Sequence, residues 1–85
     1  METEFGDGTW IVGAQIEPGL YQAPGLVYVD GGGAVDGYWT RLSGFSGQAG
    51  DRIANHFGPG PFVVEIMVTD AGFESHNCGQ WRKIS

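Results

Sequence analysis

A chain of 85 residues that holds 16 glycines and only 16% charged side chains excludes a multidomain protein and argues against a helical one, since each glycine inside a helix costs about 1 kcal/mol. Ten acidic residues against four basic ones give a net charge of −6, which argues against nucleic acid as a partner, because that binding rests on neutralising phosphates with Lys and Arg. The acids are scattered, so their reading is solubility rather than a recognition face.

At the N-terminus, Met1-Glu2-Thr3-Glu4 has no basic start and no apolar stretch, so neither a secretion signal nor a membrane-crossing segment is expected. Such a chain works where it is made, is released by lysis, or is cut from a longer secreted protein. Gly6-Asp7-Gly8 is a turn signal, and Thr9-Trp10-Ile11-Val12 reads as a strand. Glu17-Pro18-Gly19 predicts a β-turn, with Gly19 supplying positive φ, and Leu20 to Ala23 a second strand. Pro24-Gly25 repeats the turn, Leu26 to Val29 is a third strand, and Asp30-Gly31-Gly32-Gly33 reads as a hairpin tip.

Tyr38 to Leu42 is aromatic and β-branched and reads as a strand. Ser43 to Gly50 is a glycine-spaced loop. It fits neither GxGxxG nor GxxxxGK[ST], so it is not a phosphate loop. Asp51 either caps a helical turn through Ala54 or precedes a strand from Arg52 to Phe57, and Gly58-Pro59-Gly60-Pro61 is a turn. Phe62 to Thr69 is the clearest strand. Phe62, Val64, Ile66 and Val68 share its core face, and Val63, Glu65, Met67 and Thr69 share a half-apolar outer one. Asp70-Ala71-Gly72 turns the chain, and Gln80 to Ile84 is the last strand. The fold class that follows is all-β: a small antiparallel β-sandwich or partly open barrel of six to eight short strands. Residues 1–85 are expected to form a single β domain, with residues 1–5 a flexible or partner-binding arm.

Cys78 is the only cysteine. A domain this small buries only about 60–65% of the surface its unfolded chain exposes, and here no intramolecular disulfide can compensate. Stability is expected from packing, from association, or from a partner. Cys78 and His76 are two apart, but no signature of a nucleophile surrounds them, and an inert thiol is the better reading. Cys78, His76 and His56 lack the paired spacing of a zinc site. Asp30 and Asp36 flank glycines without the alternating acids of a calcium loop. Ten acids always include some pair at glycosidase distance, so carboxylate content carries little signal. No catalytic residue, metal or cofactor is expected.

Gly6-Asp7-Gly8-Thr9-Trp10, then Val12-Gly13, Ile16, Pro18-Gly19 and Tyr21, resembles a small module of actinobacterial envelope proteins and actinobacteriophage proteins. The resemblance continues through Tyr38-Trp39-Thr40-Arg41-Leu42-Ser43-Gly44 and Ile53-Ala54-Asn55 to Cys78-Gly79-Gln80-Trp81. It implies a non-enzymatic surface module. It also implies a cysteine directly before the Tyr-Trp pair, bridged to the later one. That position is Gly37 here, so the implied bridge is missing.

The function expected is therefore structural or interactive: a surface or decoration protein of an actinobacteriophage virion, stabilised by assembly. The alternative is an extracellular carbohydrate- or cell-envelope-binding module. The partner is a protein, either a second copy or a capsid or envelope protein, with no membrane insertion. Candidate interface residues are Trp10, Tyr21, Trp39, Val63, Met67 and Trp81. Large aromatics in so small a domain are expected mostly in the core, with one or two left exposed as anchors.

Overall fold

The computed structural model describes residues 1–27 and 32–85. Two four-stranded antiparallel sheets face each other. The first has the order β1 (Glu4–Phe5), β10 (Trp81–Lys83), β3 (Gly19–Ala23), β8 (Phe62–Ile66). The second has the order β2 (Gly8–Ile11), β9 (Gly72–His76), β6 (Gly37–Leu42), β7 (Arg52–Gly58). A third, two-stranded ladder pairs β4 (Leu26–Val27) with β5 (Ala34–Val35). The Tyr28-Val29 end of the expected third strand and the Asp30-Gly31 start of the glycine run lie outside the described residues. The class is all-β, as the turn spacing indicated. The described strands exceed the expected six to eight because β1, β4 and β5 are two-residue pieces, too short to leave a pattern.

The core lies between the two large sheets. Phe5, Tyr21, Ala23, Phe62, Val64, Ile66 and Trp81 come from the first, and Phe73 from the second. Trp81 is its centre: its ring meets Phe73 edge-on at 5.2 Å and Phe62 at 6.1 Å, and its Nε1 donates to Ser75 Oγ across the sandwich at 2.8 Å. The alternation in Phe62–Ile66 places Phe62, Val64 and Ile66 inward and Val63 outward. That pattern does not reach Val68, which is 80% exposed. The strand ends at Ile66 because Asp70, fully buried as a side chain, accepts the Met67 N–H at 3.0 Å and clamps a turn. Arg41 reaches Asp70 with two hydrogen bonds of 2.7 and 2.9 Å, so the buried carboxylate is paired.

The N-terminal residues are not an arm. Phe5 is buried, Glu4 and Phe5 pair with Arg82 and Trp81, and Glu2 exchanges backbone hydrogen bonds with Gln15 and Glu17. The apolar Phe5 side chain is the physical reason: it contacts the rings of Tyr21 and Trp10 at 5.2 and 5.6 Å and draws the segment onto the sheet. Between β6 and β7, Ala49–Asp51 forms a single 3₁₀ turn, and the strand follows at once. The strand reading of Arg52 to Phe57 holds; the helical turn capped by Asp51 does not form, because Asp51 closes a turn that starts before it, and Arg52 and Ala54 pair with β6.

Candidate functional site

The outer face of the β2–β9–β6–β7 sheet carries aromatic and polar side chains in register. One row runs Phe57, Tyr38, His76 across β7, β6 and β9. Phe57 is 68% exposed, and the Tyr38 and His76 rings stack at 6.4 Å. The next row runs Asn55, Thr40, Glu74, Thr9. His76 Nε2 lies 2.9 Å from Glu74 Oε2, which ties the two rows together. Thr40 is fully buried between Asn55 and Glu74, and among the described residues its hydroxyl is the buried side-chain polar atom without a hydrogen-bond partner.

Beyond these rows the Ser43–Asp51 loop walls a hollow of about 340 Å³, lined by Thr9, Leu42, Phe45, Gln48, Arg52 and Glu74. Asp51 shapes the loop by accepting from Ser46 N at 2.7 Å and from the Ser46 hydroxyl. Phe45 lies over Gly72, where any Cβ would sit 2.5 Å from its ring. Gly72 is thus the residue that lets the wall close down. This surface, the trough, runs from the aromatic row across the polar row, which shares Thr9 and Glu74 with the hollow, to the loop wall. Its side chains offer ring faces, an amide, a carboxylate, hydroxyls and a guanidinium, the mixture that a polyhydroxylated ligand requires.

All six candidate interface residues lie elsewhere. Tyr21 and Trp81 are fully buried in the core and present no surface to a partner. They are inward because their strand neighbours Gln22 and Arg82 take the solvent side. Trp10 and Trp39 are half-buried and pack against the core; Trp39 stacks on Phe73 at 6.1 Å. Val63 and Met67 are exposed, but Val63 lies on the outer face of the other sheet and Met67 just follows that strand. A groove of about 500 Å³ there, lined by Gln22, Pro24, Pro61, Val63, Gln80 and Arg82, has no exposed aromatic ring, and its Arg82 is engaged by Glu4 at 3.1 Å. Of the trough's aromatic row, Tyr38 is one of the aromatics the sequence offers as a platform for sugars or peptides, His76 is weighed there only as a partner of Cys78 or zinc, and Phe57 escapes notice, because only strand register brings the three into line.

Cys78 is buried, and its Sγ donates to the Tyr38 and His76 carbonyls at 3.4 and 3.6 Å. Its contact with His76 is therefore with backbone, while the His76 ring faces Glu74 and Tyr38. Burial pushes the thiol above its ordinary pKa, which leaves it protonated and inert at neutral pH. Cys78→Ser is expected to cost at most about 1–2 kcal/mol and to leave binding unchanged, measured by denaturant titration and by the binding assay below. Because the folded thiol ionises later than the unfolded one, its stabilisation is complete below the ordinary thiol value of about 8.5 and is lost as pH rises above it. The serine variant should lack that alkaline loss. Among the described residues no three His, Cys, Asp or Glu side chains gather as a metal site, and no helix is long and apolar enough to cross a membrane.

The chain is 31% identical over 86 residues to the uncharacterized protein Rv1352 of Mycobacterium tuberculosis strain H37Rv, covering 94% of this chain and 70% of that one. The uncharacterized protein Mb1387 of Mycobacterium bovis aligns with the same identity and coverage. No solved structure matches. Residues 2–82 match the family described as the Rv1352-like extracellular domain. These relatives favour an actinobacterial extracellular setting over a virion surface, for which they give no support. The chain belongs to the Rv1352-like extracellular domain family.

Proposed function

We propose that this domain is a non-enzymatic, extracellular binding module whose trough on the β2–β9–β6–β7 sheet takes cell-envelope glycan. The observation that carries the reading is the aromatic row Phe57–Tyr38–His76, exposed at Phe57 and His76 and half-buried at Tyr38, lying beside the polar row Asn55–Thr40–Glu74–Thr9. Sugar rings present apolar C–H faces that stack on aromatics and hydroxyls that need donors and acceptors at the edge. The membership of an extracellular domain family supports a ligand outside the cell. The thiol of Cys78, buried and protonated, is no nucleophile for a bound ligand, and the net charge of −6 disfavours nucleic acid.

The test is a glycan array followed by pulldown on isolated actinobacterial cell wall. Tyr38→Ala is expected to weaken binding about tenfold or more, the size of an aromatic hot spot. Val63→Ala, on the opposite side, should leave it unchanged. If the unaltered protein binds no glycan and no cell wall, or if a folded Tyr38→Ala variant binds as well as its parent, the reading is wrong.

A further inference from the structure

Among the described residues the two large sheets end in four edge strands, and three of them are blunted. β1 is two residues long, β2 is four, and β8 carries Glu65 with Pro61 just before it. The fourth, β7, is the longest described strand, Arg52–Gly58, and lies at the end of its sheet. In a chain with ten acidic residues it has none, and from Ile53 to Gly58 it has no Lys, Arg or Pro. Ile53 and Phe57 on it are both exposed. Its one irregularity is a bulge at Ile53, which falls between the Arg41–Ala54 and Leu42–Arg52 pairs, and the ladder is regular from Ala54 to Gly58. Edges of soluble proteins are ordinarily guarded by charge, proline or a bulge; this one has Arg52 and the Ile53 bulge at its start and is open from Ala54 to Gly58.

We propose that β7 pairs with β7 of a second copy, antiparallel, about a two-fold axis at Asn55. The strand's own composition selects this occupant. In that register Ile53 stands opposite Phe57 of the second copy, twice over, so both exposed apolar side chains find a partner. Asn55 meets its own copy, and two carboxamides can donate to and accept from each other. Arg52 stands opposite Gly58, so no like charges are opposed even though each molecule carries −6. The two four-stranded sheets become one sheet of eight. Because the axis is perpendicular to the sheet, both troughs open on the same side, which would give the dimer two-point attachment to a repeating polymer. The pairing itself does not depend on the nature of the ligand.

Light scattering and sedimentation across a concentration series test this on the unaltered protein. A dimer is expected, together with slowed hydrogen exchange at the Arg52–Gly58 amides as concentration rises. Asn55→Lys places an ammonium against its own copy at the axis and should weaken association by more than about tenfold while leaving the melting profile of the monomer intact. A purely monomeric protein at all concentrations overturns the proposal. So does a dimer that survives Asn55→Lys, or one whose β7 amides exchange as fast as in the monomer, because the partner surface is then elsewhere.

Discussion

Trp81→Ala is expected to leave the domain unfolded, or so close to it that no cooperative thermal transition survives at neutral pH. Truncating a buried Trp removes about 3–5 kcal/mol. The Trp81 ring packs against Phe5, Phe62 and Phe73 at once, so the cavity opens in the middle of the core, where neither sheet can collapse into it. The Ser75 hydroxyl, which receives the Trp81 N–H at 2.8 Å, is then buried without its donor, at a further cost of about 1–3 kcal/mol. A domain of this length has roughly 4–13 kcal/mol in total. Trp81→Phe keeps most of the volume and loses mainly the hydrogen bond, so it should fold with a lowered midpoint. Circular dichroism with urea titration separates the two. A cooperative Trp81→Ala transition within about 1 kcal/mol of the parent would show that the sandwich does not depend on this ring.

The position of Trp81 shows where sequence was informative and where it was not. The period-2 run Phe62–Ile66 announces a core strand because three apolar residues alternate with exposed ones. β9 gives no such signal. In Gly72-Phe73-Glu74-Ser75-His76 the inward residues are Phe73 and Ser75, and a serine at a core position makes sense only once the Trp81 indole is known to point at it. The same limit hides the trough. Tyr38 and Trp39 are adjacent aromatics, so one must face in and the other out, and composition does not say which. Pairing of Trp39 with Ser75 and of Tyr38 with His76 decides it. Phe57, Tyr38 and His76 are far apart in the chain and meet only through register. Val68 fails in the opposite way: the alternation continues in the letters after Asp70 has already ended the strand in space. The N-terminal segment reads as polar through Glu2, Thr3 and Glu4, and the single Phe5 outweighs them.

Gly37→Cys is expected to staple the sandwich. A Cβ built on Gly37 falls 3.1 Å from Cys78 Sγ, and the bond lengths of a disulfide place each Cβ about 3 Å from the far sulfur. The bridge that the sequence resemblance implied is therefore geometrically available in this chain, with one half already present and protonated in the core. Closing the intervening loop removes unfolded-state entropy worth up to about 4 kcal/mol in the chain-entropy account. The gain is reduced by crowding, because the same Cβ would lie 2.8 Å from the Asn77 carbonyl oxygen and 2.9 Å from the Phe62 ring. Phe62 closes one side of the core, so its ring must shift by some tenths of an ångström, and the bridge then replaces the weak hydrogen bonds that Cys78 makes to Tyr38 and His76. A net stabilisation of about 2–3 kcal/mol under oxidising conditions should remain, seen as a raised urea midpoint and abolished by reductant. In reductant the variant should be less stable than the parent, since crowding persists without the bond. The opposite signs of the oxidised and reduced forms separate a bridge that fits the folded sandwich from one that forms only in the unfolded chain. If oxidation lowers the midpoint instead, the Gly37 and Cys78 backbones do not face each other as described.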